Sequence, residues 1–170
     1  MKFYNKSKAF FFDRDGVIIR DVGYLINKES IIFYKDIFRV LDYIQKNNFL
    51  IIIITNQSVV GRKLINKKEL SNIHKYITDQ LKKKKITVQD IFYCPHHPTD
   101  GVGHYKRKCF CRKPGNLLIE KAIKKWNIDR TKSYMIGDKK TDLLASKKSK
   151  IKFFYRPKKY FYKFISNKIK

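Results

Sequence analysis

Short apolar runs that alternate with helical patterns set the tightest limit on the fold of this chain. The longest unbroken run is FLIIII, residues 49–54, and its length and branched side chains predict a buried strand. Because helical patterns lie between successive runs, we expect a doubly wound, mainly parallel α/β sheet with helices on both faces. The runs predict strands at Ala9–Phe12, Phe49–Ile54, Asp90–Tyr93, Ser133–Ile136 and Ile151–Tyr155.

The helices between these strands are predicted from capping residues and from apolar spacing. Asp36 is placed to cap the first helix, and Asn66 with Glu69 fits a capping box at the second. A fourth helix is expected after GDKKTD, residues 137–142. In the first three helices, apolar side chains recur at helical intervals over residues 37–44, 70–81 and 119–126.

The length of the chain favours one domain. Its 170 residues are enough for one hydrophobic core and too few for two, so we expect a single domain over 1–170. The core should occupy about 8–155, with 156–170 as a peripheral basic tail. No apolar run approaches the roughly 18 residues of a membrane span, and the first residues lack a secretory pattern. We expect a cytoplasmic monomer with no membrane association.

The charge of the chain is extreme, with 40 Lys and Arg against 14 Asp and Glu and a formal net charge of +26. Such an excess is typical of proteins that bind nucleic acids or other polyanions. Here the lysines are spread over nearly every segment and accompany abundant Ile, Asn, Phe and Tyr, which share AT-rich codons. We therefore attribute the charge to genome composition and expect no specific nucleic-acid partner.

Polar clusters follow three of the predicted strands. Asp13 and Asp15 come directly after the first strand, TNQS (55–58) follows the second, and GDKKTD (137–142) follows the fourth. In parallel α/β sheets, ligands bind outside the carboxyl ends of the strands, where the strand order reverses. The three clusters should therefore meet at one edge of the sheet.

These residues are suited to phosphoryl transfer. The carboxylate of Asp13 can attack phosphorus and form an aspartyl-phosphate, while Asp15 protonates the leaving oxygen and later deprotonates water. The Thr55 hydroxyl and the Lys113 ammonium can hold the phosphoryl oxygens. Magnesium would neutralise the approach of one anion to another, and Asp138 offers it a further oxygen ligand.

The cysteines form a separate cluster with metal-ligand spacing. Cys94 and His96 are followed after a gap by Cys109 and Cys111, which together make a full tetrahedral set for zinc. Since no position stays open for water, the zinc should be structural and should pin a long loop. His97 is the alternative imidazole ligand, and three free buried cysteines are the alternative interpretation.

Four segments of the chain resemble the motifs of a known family. The segments DRDGV, TNQ, RKP and GDKKTD are similar, in order and spacing, to the signature motifs of the haloacid dehalogenase-like phosphatases, whose core is of the Rossmann type. The resemblance spans about residues 8–155 and implies a magnesium-dependent phosphatase that works through an aspartyl-phosphate. It implies that Asp13 is the nucleophile and Asp15 the general acid/base, and that Thr55 and Lys113 hold the phosphoryl group. It also implies that Mg²⁺ is bound by Asp13, the backbone carbonyl of Asp15 and Asp138. By the same resemblance, Asp142 orients the metal's water or Lys113.

The cysteine loop narrows the resemblance to two groups. It is similar to the loop of the D-glycero-D-manno-heptose 1,7-bisphosphate phosphatases and of the histidinol-phosphatases, cytoplasmic enzymes with short loops in place of a large cap. The segment DVGYL, residues 21–25, resembles the D-x-G-Y of the heptose group. This resemblance implies that the sugar is contacted by Asp21, Gly23 and Tyr24. It implies that the pocket is completed by Asn56, Gln57, Ser58, Arg112 and Lys139. Arg112 would pair with the phosphate that is not cleaved.

The expected activity is therefore removal of the 7-phosphate of a heptose bisphosphate, a small phosphorylated sugar, in ADP-heptose and lipopolysaccharide core synthesis. Two positions depart from the heptose pattern: Val59 stands where a glycine is usual, and Gly115–Asn116 replaces x-Pro-Gly. The alternatives are a histidinol-phosphatase, a polynucleotide 3′-phosphatase, and a non-enzymatic basic zinc module that binds RNA.

Overall fold

The computed structural model of the protein describes residues 6–169 and contains one sheet of five parallel strands. The predicted strands are all present, and most shift by a residue or two at one end. Their order in the sheet is β3-β2-β1-β4-β5. The strands are β1 (Lys8–Phe12), β2 (Phe49–Asn56), β3 (Asp90–Cys94), β4 (Tyr134–Gly137) and β5 (Lys152–Tyr155).

The topology brings the predicted polar clusters together. The chain moves outward from β1 through β2 to β3, then returns to place β4 on the other side of β1. The strand order therefore reverses beside β1, and the carboxyl ends of β2, β1 and β4 lie next to one another. This switch point is where an open α/β sheet binds its ligand.

Six helices cover the two faces of the sheet within residues 6–169, and a short 3₁₀ turn, Gly103–Tyr105, lies in the long loop after β3. The long connections 13–36 and 95–116 contain no helix or strand beyond that turn, so no large cap is present in the described residues. No helix in the described range has the length and apolar character to cross a membrane. The helices are α1 (Ile37–Lys46), α2 (Ser58–Gly61), α3 (Lys67–Lys83), α4 (Leu117–Trp126), α5 (Lys140–Lys148) and α6 (Phe161–Lys168).

The hydrophobic core is split by the sheet into two layers. Side chains alternate along a strand, so Phe10 and Phe12 pack on the side of α1, α3 and α6, whereas Phe11 packs on the side of α4 and α5. All three phenylalanine side chains are fully buried. This two-sided burial explains why β1 is continuously apolar and why charge begins at Asp13, where the strand ends.

The two predicted helix caps have different outcomes. The capping box of α3 is confirmed: Asn66 accepts a hydrogen bond from the Glu69 amide, and Glu69 accepts one from the Asn66 amide. At α1, Asp36 stands at the cap position but makes no side-chain cap hydrogen bond. Its carboxylate instead accepts a hydrogen bond from Arg156, 2.8 Å away, so an ion pair with a distant segment replaces the expected cap.

The expectation of a peripheral tail over 156–170 is wrong for the described part of that segment. Helix α6 packs against α1, and Phe161 and Ile165 are fully buried in the core layer of α1. Arg156 is buried as well, and its guanidinium lies 3.7 Å from the centre of the Tyr34 ring. The segment after β5 is therefore a structural part of the domain.

We expect Phe161→Ala to destabilise the protein by about 3–5 kcal/mol, because it leaves a cavity under α6. Urea unfolding followed by circular dichroism measures this change. The matched control is Tyr160→Ala, since the Tyr160 side chain is 78% exposed and its loss should cost no more than about 0.5 kcal/mol. Equal small effects of the two substitutions would contradict the docking of α6.

Candidate active site and cysteine cluster

A cavity of roughly 590 Å³ opens at the carboxyl ends of β1 and β2. The predicted catalytic and substrate-binding residues all line it, together with Val59, which departs from the heptose pattern, and with Pro114 and Thr141, which received no role from the sequence. The predicted residues at its wall are Asp13, Asp15, Asp21, Gly23, Tyr24, Thr55, Asn56, Gln57, Ser58, Arg112, Lys113 and Lys139.

Lys113 lies at the centre of the charged groups, with only 3% of its surface exposed. Its ammonium is 3.0 Å from Asp13 Oδ1 and 2.6 Å from Asp142 Oδ1, and it donates a hydrogen bond to the Ile54 carbonyl. Although burial opposes the charged form, the carboxylates of Asp13 and Asp142 raise the pKa of Lys113. The backbone at Lys113 is fixed by two hydrogen bonds with the Asn56 side chain.

Three carboxylates meet beside this lysine. Oxygen atoms of Asp13, Asp138 and Asp142 lie within 4.8 Å of one another. Burial and then the neighbouring charge of Asp13 raise the pKa of Asp138 to about 6, because like charges at close range disfavour ionisation. A Cβ on Gly16, whose φ is +79°, would collide with the Asp138 carboxylate. Oxygen donors with surplus negative charge fit a hard divalent cation such as Mg²⁺.

Asp15 is held by two neighbours rather than left free in the cavity. Both its oxygens accept hydrogen bonds from Arg14, at 2.9 to 3.1 Å, and Oδ2 also accepts one from Gln57 Nε2 at 2.8 Å. The same Gln57 nitrogen lies 2.9 Å from Thr55 Oγ1. Burial raises the pKa of Asp15, and the positive charge of Arg14 opposes that rise.

The outer part of the cavity carries the residues predicted to contact substrate. Lys139 forms an ion pair with Asp21 at 2.8 Å, so a ligand would have to share or replace this contact. Tyr24 is about half exposed, and the guanidinium of Arg62 lies 5.0 Å from the centre of the Tyr24 ring. Arg112 donates a hydrogen bond to the His96 carbonyl, which ties the cavity wall to the cysteine loop.

The cysteine cluster assembles as predicted, with His96 as its imidazole. The Sγ atoms of Cys94, Cys109 and Cys111 are 2.9–3.5 Å apart, which is longer than the roughly 2.05 Å of a disulfide bond. His96 Nδ1 lies 3.3 Å from Cys111 Sγ. The ring of His97 faces away, because its Nδ1 accepts a hydrogen bond from the Asp100 amide.

This donor set fits a soft, tetrahedral cation such as Zn²⁺. One ligand atom from each of Cys94, His96, Cys109 and Cys111 lies within 4.8 Å of the others. Burial raises the pKa of the Cys94 thiol, and a bound cation would hold that thiol as a thiolate.

Sequence reasoning missed two residues behind Asp15. Arg14 belongs to the DRD motif but received no role, and neither did His74. Both side chains are buried, and Arg14 Nη1 lies 3.2 Å from His74 Nε2. The signal for Arg14 was the motif itself. The signal for His74 was its position, four residues after Leu70 and three before Ile77, which places it on the buried face of α3.

Comparison with known proteins identifies relatives over most of the chain. The family model described as "Haloacid dehalogenase-like hydrolase" matches residues 104–155. A D-glycero-beta-D-manno-heptose-1,7-bisphosphate 7-phosphatase from Haemophilus ducreyi is 37% identical over 146 residues, which is 85% of this chain and 80% of the relative. A D-glycero-alpha-D-manno-heptose-1,7-bisphosphate 7-phosphatase from Photorhabdus laumondii is 37% identical over 148 residues, covering 87% and 81%.

Solved structures are similar in fold. A D,D-heptose 1,7-bisphosphate phosphatase from B. bronchiseptica, crystallised with magnesium and phosphate, has a TM-score of 0.76 and 26% identity, covering 86% of this chain and 78% of its own. A HAD-like phosphatase from Mesorhizobium loti has a TM-score of 0.82 at 24% identity, covering 88% and 71%.

We expect His96→Ala to lose most of the metal bound at the cysteine cluster, and His97→Ala to keep it, because only the His96 ring faces the three sulfurs. Elemental analysis of the purified proteins measures zinc per chain. His97→Ala serves as the matched control, since it removes an adjacent imidazole from the same loop. Loss of metal from His97→Ala with retention in His96→Ala would reverse the assignment.

Proposed function

Because the chain belongs to the manno-heptose-1,7-bisphosphate 7-phosphatase family of haloacid dehalogenase-like hydrolases, we propose that this phosphatase removes the 7-phosphate of such a heptose bisphosphate. The observation that carries the proposal is the pairing of Asp13 with Lys113 at the wall of the cavity, with carboxylate oxygens of Asp138 and Asp142 within 4.8 Å of one from Asp13. The product would enter ADP-heptose synthesis for the lipopolysaccharide core.

The first half of the proposed reaction transfers the phosphoryl group to the protein. A carboxylate oxygen of Asp13 attacks phosphorus, the bond from phosphorus to the sugar oxygen breaks, and the leaving oxygen takes a proton from Asp15. In the second half, Asp15 removes a proton from water, whose oxygen attacks the phosphorus of the aspartyl-phosphate. Inorganic phosphate leaves and the Asp13 carboxylate is restored.

The residues around Asp13 suit these steps. Lys113 is held 3.0 Å from the nucleophile and would balance charge on the phosphoryl oxygens, while the Thr55 hydroxyl would donate a hydrogen bond to one of them. Asp142 would keep Lys113 in place through its 2.6 Å contact. Mg²⁺ held by Asp13, the Asp15 carbonyl and Asp138 would supply positive charge that makes attack by an anion on an anion tolerable.

The outer cavity suits a sugar with a second phosphate. Arg112 presents a planar fork of donors that matches phosphate geometry, and Lys139, which also lines the cavity, adds a positive charge. Asp21 and Tyr24 would contact sugar hydroxyls, with backbone from Gly23 and further polar contacts from Asn56, Gln57 and Ser58. Relatives named for the alpha and for the beta anomer are equally similar to this chain, so both anomers are candidate substrates.

Zinc at Cys94, His96, Cys109 and Cys111 would have a structural role. Four protein ligands leave no open position for water, so the ion would stabilise the loop instead of taking part in hydrolysis. Arg112 and Lys113 follow Cys111 directly in sequence. The metal would therefore fix the segment that carries two of the phosphate-binding groups.

The proposed substrate is tested by a panel assayed for phosphate release. We expect D-glycero-D-manno-heptose 1,7-bisphosphate to be turned over with Mg²⁺ and not without it, with one phosphate released per molecule. Histidinol phosphate and a 3′-phosphorylated oligonucleotide are the competing substrates. A clear preference for histidinol phosphate, or for the oligonucleotide as the basic charge would suggest, would overturn this substrate assignment.

The proposed nucleophile is tested by Asp13→Asn, which keeps the shape of the side chain but removes its nucleophilic charge. Phosphate release should fall by at least about 10³-fold, as is usual for loss of a covalent nucleophile, with the fold intact by circular dichroism. Asp79→Asn is the control, since Asp79 pairs with Lys75 on the surface of α3. Undiminished activity of Asp13→Asn would reject the assignment.

A further inference from the structure

Arg14 connects Asp15 to a histidine that no part of the proposed reaction uses. Its side chain is only 1% exposed, and Nε and Nη2 donate to the Asp15 carboxylate. On the opposite edge of the guanidinium, Nη1 lies 3.2 Å from His74 Nε2. A buried chain of hydrogen bonds thus runs from α3 to the carboxyl group that faces the cavity.

In the hydrogen bond between Arg14 and His74, the guanidinium is the donor. A guanidinium has five N–H donors and no acceptor, so His74 Nε2 accepts and the ring proton lies on Nδ1. Burial, and then the positive charge of Arg14, lower the pKa of His74 to about 3, which agrees with a neutral ring. The ring also packs edge-on against Tyr93, 5.6 Å between centroids, which holds Nε2 toward Arg14.

We propose that His74 is a positioning residue of the phosphatase: it fixes the plane of the Arg14 guanidinium so that Arg14 presents two donors to the Asp15 carboxylate. The proposal rests on the proposed function, in which Asp15 exchanges the proton. Negative charge develops on Asp15 as it protonates the departing oxygen. Donors already aimed at that carboxylate stabilise the developing charge without having to reorganise.

Without an acceptor at position 74, the buried Nη1 group would lose its partner. An unpaired buried donor is costly, so the guanidinium would rotate or withdraw to regain a hydrogen bond, and its two-donor contact with Asp15 would loosen. In a purely structural role, the hydrogen bond to His74 would only compensate the free-energy cost of burying the Arg14 guanidinium. The two roles differ in one respect, because only the positioning role makes the loss depend on how much the leaving group needs a proton.

The test compares two leaving groups in wild type, His74→Leu and His74→Gln. A sugar phosphate has a poor leaving oxygen that needs protonation, whereas 4-nitrophenyl phosphate releases a stable phenolate. The quantity compared is kcat/KM, which reports the steps up to the release of the alcohol. Leu fills the space without an acceptor, and Gln places Oε1 where Nε2 stands.

We expect His74→Leu to lower kcat/KM for the heptose bisphosphate by about tenfold or more, a typical cost of a misplaced catalytic group, and to change the value for 4-nitrophenyl phosphate much less. His74→Gln should recover most of the loss. Ile77→Ala, a buried change on the same helix with no polar contact, should lower the melting temperature without altering the ratio of the two substrates. If His74→Leu does not fold, Arg14→Lys carries the test, since one ammonium cannot span Asp15 and His74, and the same selective loss is expected.

An equal loss on both substrates, or no recovery in a folded His74→Gln, would overturn the proposal. Those outcomes leave the proposed function standing as long as the wild type turns over the heptose bisphosphate and Asp13→Asn does not. Absence of turnover in the wild type would instead reject the proposed function itself.

Discussion

The buried ammonium group of Lys113 is the interaction on which the geometry of the site depends. It joins Asp13 at the end of β1 to Asp142 in the first turn of α5, two carboxylates that would otherwise repel one another. Taking these charges out of water is costly and is offset only when every partner is present. Lys113 also follows the last ligand of the cysteine cluster by two residues. The segment that carries Lys113 therefore links the cysteine cluster to Asp13, the proposed nucleophile, and to the first turn of α5.

The charge of the site explains why a cation and a phosphate would bind there together. Three carboxylates share a small volume with one lysine, and the pKa of Asp138 rises to about 6 under burial and the charge of Asp13. A divalent cation relieves that crowding and then attracts the phosphate. Asp15 stands outside this group and is held by Arg14 and Gln57 instead, so the proposed acid/base carboxyl has a different environment from the three that could hold a metal, as two roles for two carboxylates would require.

Most of the site could be predicted from the sequence because its parts follow strands. Asp13, Thr55 and Asp138 each stand at the carboxyl end of an apolar run, and in a parallel sheet those ends converge. The cysteine ligands were given by spacing, although the choice of His96 over His97 needed the ring directions. The Arg14–His74 contact and the Asp36–Arg156 pair could not be predicted, because they join segments 60 and 120 residues apart. The helical spacing of Phe161 and Ile165 indicates that α6 packs on the domain, but the many lysines around them favoured the interpretation as a peripheral tail.

The most direct measurement of the central claim is a rapid acid quench of the protein during turnover with substrate and Mg²⁺, followed by peptide mass analysis. A transient phosphoryl adduct should appear on the peptide that follows β1, localised to Asp13, and should be absent from Asp13→Asn. Turnover at full rate with no adduct at any quench time, or an adduct on Asp138 or Asp142, would contradict that claim.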